Sequence, residues 1–171
     1  ADYITVNLSS PNTPGLKSLQ HGEQLQNILS PLVERRNQLA DNAQKQVPIV
    51  VKISPDLTTD EIKHIIDKLL ALKIDGVIAT NTTISRPAYL KGNAKQEEGG
   101  LSGEPVFEPS TQVVKTIYQH VGDALPIIAA GGVSNIAQAK AKLAAGAKLV
   151  QIYTGLIYEG PQLVRRIVEK L

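Results

Sequence analysis

Five short apolar runs separated by helix-patterned stretches constrain this chain more than any other feature. The runs are Ile4–Leu8, Ile49–Ile53, Gly76–Ala79, Pro126–Ala130 and Leu149–Tyr153. Most are nearly continuous in valine, isoleucine, alanine and leucine, so they predict strands buried on both faces, as in a parallel sheet. Parallel strands need long crossovers, and the intervening sequence supplies them. Gln24 to Ala43 places Leu25, Ile28, Leu29, Leu32, Val33 and Leu39 at helical spacing, with Pro31 kinking the helix or restarting it behind Ser30. Thr58-Thr59-Asp60-Glu61 reads as a capping box opening a helix with the stripe Ile62, Ile65, Ile66, Leu69 and Leu70. A helix over Ser110 to Val121 carries Val113, Val114, Ile117 and Val121. Ser134 caps a further helix that Gly146 ends, and Pro161 opens a last one through Leu163, Val164, Ile167 and Val168.

Strand and helix thus alternate five times without a hairpin signal, the grammar of successive βαβ units in an α/β protein. An open doubly wound sheet and part of a TIM (β/α)8 barrel both satisfy it. A complete barrel takes eight strands and roughly 250 residues, whereas this chain offers five strands in 171 residues. No Gly-x-Gly-x-x-Gly follows the first strand, which argues against a dinucleotide-binding sheet. The chain opens at Ala1-Asp2-Tyr3 almost directly in a strand and contains no methionine. Residues 1–171 are therefore expected to be one domain, the C-terminal part of a longer protein.

Composition narrows the function classes. A net charge of +2 with scattered basic residues, five tyrosines and one phenylalanine does not suit a nucleic-acid binder. The absence of cysteine removes disulfides, thiolate metal sites and a cysteine nucleophile. No apolar run among these 171 residues reaches the ~18 residues that span a bilayer, and Ala1–Gly15 does not read as a signal peptide.

The polar residues fall where such a fold binds ligands, at the carboxyl ends of strands. The first strand runs into Asn7-Leu8-Ser9-Ser10-Pro11-Asn12-Thr13-Pro14-Gly15, a turn of fixed shape holding carboxamides and hydroxyls. Lys52 and Ser54 end the second strand, Thr80-Asn81-Thr82-Thr83 the third, Gly131-Gly132 the fourth and Tyr153-Thr154-Gly155 the fifth. One connection, Thr83 to about Pro109, exceeds the ~12–15 residues usual for a structureless loop. It carries Gly99-Gly100-Leu101-Ser102-Gly103, backbone able to approach a ligand closely.

Lys52 lies among apolar neighbours at a strand end, where an unpaired charge is costly. Three readings are open: a structural salt bridge, a Schiff-base nucleophile, or a cation facing an anionic ligand or electron-rich ring. The last two loops suit a phosphate held by backbone N–H groups. His21 follows the serine turn, but no nucleophile elbow or acidic partner accompanies it, which argues against a hydrolase. His64 and His120 read as solvated helix positions, and Glu34-Arg35-Arg36 and Arg165-Arg166 as exposed helix faces.

These motifs, in order across essentially the whole chain, resemble the dihydroorotate dehydrogenase family. The serine turn and Gly99-Gly100-Leu101-Ser102-Gly103 are the most specific of them. The resemblance implies an FMN-dependent (β/α)8 barrel of pyrimidine biosynthesis, of which this chain supplies about the last five β/α units. Serine at Ser10, where soluble members carry cysteine, points to the quinone-reducing class 2 branch. In that branch Ser10 is the catalytic base toward C5 of dihydroorotate and Thr13 its proton relay. The resemblance makes Asn7, Asn12, Asn81 and Thr82 the expected contacts of dihydroorotate or orotate. It makes Asn7, Lys52, Thr80 and Gly103 the expected flavin contacts, with Gly132, Tyr153 and Thr154 at its phosphate. The resemblance further implies quinone as a partner and peripheral attachment to a membrane surface through an N-terminal extension absent here. That membrane is the cell membrane on its cytoplasmic face, or the inner mitochondrial membrane in a eukaryote. Because the family's first three strands are also absent, the isolated segment is expected to bind FMN weakly and turn over little.

Overall fold

A computed structural model describes residues 1–13, 15–20 and 22–171. Pro14 of the serine turn and His21 lie outside the described residues. Five strands, β1 (Ile4–Asn7), β2 (Ile49–Ile53), β3 (Gly76–Ala79), β4 (Ile127–Ala130) and β5 (Leu149–Gln151), form one sheet in the order β1-β2-β3-β4-β5. Every pairing is parallel. A doubly wound sheet reverses its strand order at a switch point; here each strand lies beside its sequence neighbour throughout, the singly wound order of a barrel.

Among the described residues six α-helices follow the strands: α1 (Gly22–Ala43), α2 (Thr59–Ala71), α3 (Phe107–Val121), α4 (Ile136–Ala144), α5 (Thr154–Glu159) and α6 (Gln162–Val168). Strand periodicity separates two apolar layers. Val51, Ile53, Val77, Ala79, Ile127 and Ala129 face the helices, where they join Leu25 and Leu29 of α1, the α2 stripe, and Val113, Val114 and Ile117 of α3 in the main core. The alternate residues Val50, Ile78, Ile128 and Ala130 cluster on the opposite, barrel-lining face. Register puts Asn7, Lys52, Ile78, Ile128 and Leu149 in one row across the sheet. Lys52 thereby projects from the lining face beside Asn7, not into the helix layer. The two outer strands are the exposed ones, with Ile4 and Leu149 half open to solvent.

Local chemistry sets the helix ends. Thr58 and Glu61 form the expected capping box, Glu61 accepting the Thr58 N–H at 2.7 Å and Thr58 Oγ1 accepting the Glu61 N–H at 3.3 Å. Pro31 sits inside a continuous α1. Helix α3 starts at Phe107, three residues before the expected Ser110. Pro109 falls in its first turn, where an N–H has no intrahelical partner and proline is tolerated. The cap of α4 is Asn135, not Ser134: Asn135 Oδ1 accepts the Gln138 N–H at 2.9 Å, while Ser134 donates its N–H and hydroxyl to Gln138 Oε1. The segment expected to stay a loop after β5 forms α5, closed by Gly160 at φ +70° before Pro161 opens α6.

His120 is exposed, as its sequence position suggested, and its Nε2 lies 2.7 Å from Asp67 Oδ1, joining α3 to α2. One charged residue departs from its reading as solvated. Arg36 is buried and donates to Asp75, whose carboxylate also accepts the Ile49 N–H at 2.8 Å. The pair ties α1 to the entry of β2; Glu34 and Arg35 are exposed as expected, and the expectation fails at Arg36 alone because Asp75 reaches it from the loop before β3. Replacing Arg36 by methionine leaves the Asp75 charge without its cation, so the variant is expected to lose about 3 kcal/mol of stability, measurable by urea unfolding.

Candidate functional site

The tips of four of the five strands, β2 to β5, meet around one cavity of about 560 Å³. Its wall takes one or more residues from the ends of β2, β3, β4 and β5 and from the long connection. Lys52, Thr80, Asn81, Thr82, Gly103, Gly132, Tyr153 and Thr154 all line it. Asn7 is outside the wall but bonded to it, because Asn81 Nδ2 donates to Asn7 Oδ1 and to Ser9 Oγ, each at 3.1 Å. Ser9 in turn donates its N–H and hydroxyl to Asn7 Oδ1 at 3.3 and 3.2 Å. Asn81 Oδ1 accepts the Thr82 N–H at 2.9 Å, which fixes the orientation of that amide. Among the described residues Asn7 Nδ2 has no acceptor, so one amide donor at the tip of β1 is available to a ligand.

Ser10, Asn12 and Thr13 do not line this cavity. Ser10 is half-buried, and its Oγ accepts the Asn12 N–H at 3.3 Å. Asn12 and Thr13 are exposed, and the Thr13 carbonyl accepts the Leu16 N–H at 3.3 Å. The turn is held next to the cavity by Asn7, Ser9 and the glycine segment of the long connection. That segment is itself anchored. Thr83 and Leu101 exchange backbone hydrogen bonds at 3.1 and 2.8 Å, and Asp56 accepts from the Thr83 hydroxyl and from the Ile84 N–H. Arg86 gathers the carbonyls of Thr83, Glu97 and Gly99. A Cβ on Gly100 would overlap Thr82 and Pro11, so only glycine lets the strap pass between the first and third strand tips.

Lys52 is half-buried, and burial lowers its ammonium pKa. Among the described residues the ammonium has no ion pair and no hydrogen-bond acceptor, so the salt-bridge reading has no partner here. A cation held in a partly dry cavity beside amide donors suits an anionic or electron-rich ligand. On the far wall, Gly131 and Gly132 adopt φ +118° and +73°, a left-handed turn pressed onto the first turn of α3. The next loop meets it: Thr154 Oγ1 donates to Ser102 Oγ at 3.1 Å, and Gly155 runs against the Val133 carbonyl. The Tyr153 ring is 81% exposed and Tyr153 precedes the first turn of α5.

Several site residues were not anticipated. Ser9 is fully buried, whereas its neighbour Ser10 carries the resemblance. Ser102 and Gln151 line the cavity, and Gln151 Nε2 donates to the Tyr3 hydroxyl at 2.9 Å across the lining face. Lys142 is fully buried behind the Gly131-Gly132 turn; the signal for it was the spacing Ala139, Lys142, which puts both on one helix face. Among the described residues no helix is long and apolar enough to cross a membrane.

Comparison with known proteins agrees with this geometry. A family model described as dihydroorotate dehydrogenase matches residues 1–171. A Marinomonas protein named dihydroorotate dehydrogenase (quinone) is 55% identical over 168 residues, covering 98% of this chain and 49% of that protein. A Vibrio parahaemolyticus protein of the same name is 53% identical over 171 residues, covering 100% and 51%. The crystal structure of DHODH from Eimeria tenella in complex with ferulenol superposes with a TM-score of 0.94 at 38% identity, covering 99% of this chain and 49% of that one. The chain spans about half the length of the curated relatives it matches, and its five units are an arc of their TIM-barrel fold. A matching family model over all 171 residues, with relatives above 50% identity along essentially the whole chain, means that the chain belongs to the dihydroorotate dehydrogenase family.

Proposed function

We propose that the protein oxidises dihydroorotate to orotate in de novo pyrimidine biosynthesis, using FMN in the strand-tip cavity and passing electrons on to a quinone. The observation that carries this reading is the convergence of Lys52, Asn81 and Gly131-Gly132, from three consecutive strand ends, on one cavity. The relatives' name supplies the substrate and the quinone. The donor set suits FMN: a cation without a counter-ion for the ring, uncharged amides at its edge, and a glycine turn for its phosphate. When bound, FMN accepts the hydride that leaves C6 of dihydroorotate.

The chain's own residues have separate tasks. Ser10 Oγ takes the proton from C5, and Thr13 passes it toward solvent. A serine hydroxyl is a weak base in water, so the turn has to close over the substrate and exclude solvent. Asn7, Asn12, Asn81 and Thr82 hold the ring amides and carboxylate through uncharged donors and acceptors. Lys52 favours the reduced, negatively charged ring, with Thr80 and Gly103 completing its pocket. Gly132, Tyr153 and Thr154 hold the phosphate. Lys52→Met is expected to weaken FMN binding about tenfold and to make the bound flavin harder to reduce, because a hydrogen bond to a charged group is lost. Spectroelectrochemical titration of the flavin checks it. The quinone step is expected at a membrane surface reached through an N-terminal extension.

A second reading, a flavin or phosphate binder without turnover, is favoured by the position of Ser10, Asn12 and Thr13 outside the cavity wall. Adding dihydroorotate without oxygen separates the two. Bleaching of the yellow protein supports the dehydrogenase, and colour that persists supports the binder.

A further inference from the structure

Lys142 is a buried cation that the proposed chemistry does not use. It stands on α4 with its side chain wholly enclosed. Its ammonium donates to the Phe107 carbonyl at 3.2 Å and to the Ser110 hydroxyl, both neutral groups, and lies 5.0 Å from the centre of the Phe107 ring. Enclosing a charge among neutral partners is costly. Burial accordingly pushes its pKa down to about 8, a fall that the exposed Glu108 opposes. A site that keeps such a group gains most when an anion arrives nearby.

The hydrogen bonds lead to where that anion sits. Ser110 Oγ is 3.2 Å from the Phe107 carbonyl and 3.3 Å from the Gly131 carbonyl, with one proton to give. The Phe107 carbonyl already accepts from Lys142 and from Thr111 Oγ1 at 2.6 Å, so the Gly131 carbonyl is the acceptor in need. A donor on that carbonyl polarises the Gly131–Gly132 peptide and strengthens its N–H as a donor. Both glycines line the cavity.

We infer that Lys142, acting through Ser110 on the Gly131–Gly132 peptide, is a positioning residue that lends positive charge to a phosphate-bearing ligand and so selects phosphorylated over unphosphorylated flavin. The inference rests on the reading of the cavity as a flavin site. Its test compares FMN with riboflavin, which differ only in the phosphate, by fluorescence titration of the flavin-stripped full-length protein. The wild type is expected to prefer FMN. Lys142→Met is expected to shrink that preference about tenfold while leaving riboflavin affinity unchanged. Ser110→Ala, which cuts the relay and keeps the ammonium, is expected to lose part of the preference and carries the test if the methionine variant does not fold. An FMN preference that survives both substitutions, or equal weakening of both flavins, overturns the inference and leaves the flavin reading intact. A wild type that binds FMN no better than riboflavin overturns the phosphate site beneath it.

Discussion

Replacing Ser10 by alanine is expected to slow reduction of bound FMN by dihydroorotate about 10²- to 10⁴-fold, the usual range for removing a positioned general base. Bound flavin should be retained, because Ser10 does not line the cavity proposed to hold it. The start of the turn should also survive, since Asn7, Ser9 and Asn81 are hydrogen-bonded to one another without Ser10. Cysteine at the same position separates chemistry from shape. A thiol titrating near 8.5 is a working base only when ionised. The Ser10→Cys variant should therefore reduce flavin faster as pH rises toward and past that value, while the alanine variant stays slow throughout. Stopped-flow absorbance under anaerobic conditions reads both. An alanine variant as fast as wild type would remove Ser10 from the proton transfer.

The second large effect is expected at Gly132. A side chain there has to adopt φ +73°, and its Cβ would lie 2.5–2.6 Å from Cβ, Cα and N of Phe107. Neither helix backbone nor Cβ can yield as the end of a long side chain can. Gly132→Val combines left-handed strain of about 1–2 kcal/mol with overpacking of about 1–3 kcal/mol, a loss of about 2–5 kcal/mol in all. Because the displaced groups are the first turn of α3 and the glycine turn itself, the flavin should be lost as well. Gly160→Ala is the internal control. Gly160 has a similar φ of +70° with nothing within 4 Å of its Cβ position, so only the backbone strain applies and the flavin should stay. Thermal unfolding with and without FMN, together with the absorbance of the purified proteins, distinguishes the two variants.

Much of this architecture was legible before any coordinates because two periodicities dominate it. The runs Ile49–Ile53 and Gly76–Ala79 are apolar on both faces, which only a covered parallel strand requires, and the Ile62–Leu70 stripe has helical spacing behind a capping box. Strand order was not legible: five strands joined by helical crossovers fit two architectures, and only the pairing order from Asn7 to Leu149 decides between them. The strand-tip rule located Lys52, Asn81 and Gly132, since their polarity or flexibility contradicts the apolar run before them. The residues it missed act through tertiary partners. Arg36 reads as one more solvated charge until Asp75 arrives from 39 residues away. Ser9 and Ser10 are alike in sequence, and only the buried Ser9 is met by Asn81 from the loop after β3. Lys142 sits in an alanine-rich helix whose buried face is defined by tertiary neighbours, α3 and the glycine turn on one side and Leu163 and Ile167 of α6 on the other.

The central claim is that the tips of these strands hold FMN beside a bound dihydroorotate. It is tested most directly by mixing the oxygen-free, flavin-loaded full-length protein with dihydroorotate and following the flavin's visible absorbance. Rapid bleaching, with one orotate formed per flavin reduced, is the result this account predicts. A protein that binds FMN yet keeps its colour in saturating dihydroorotate would contradict it.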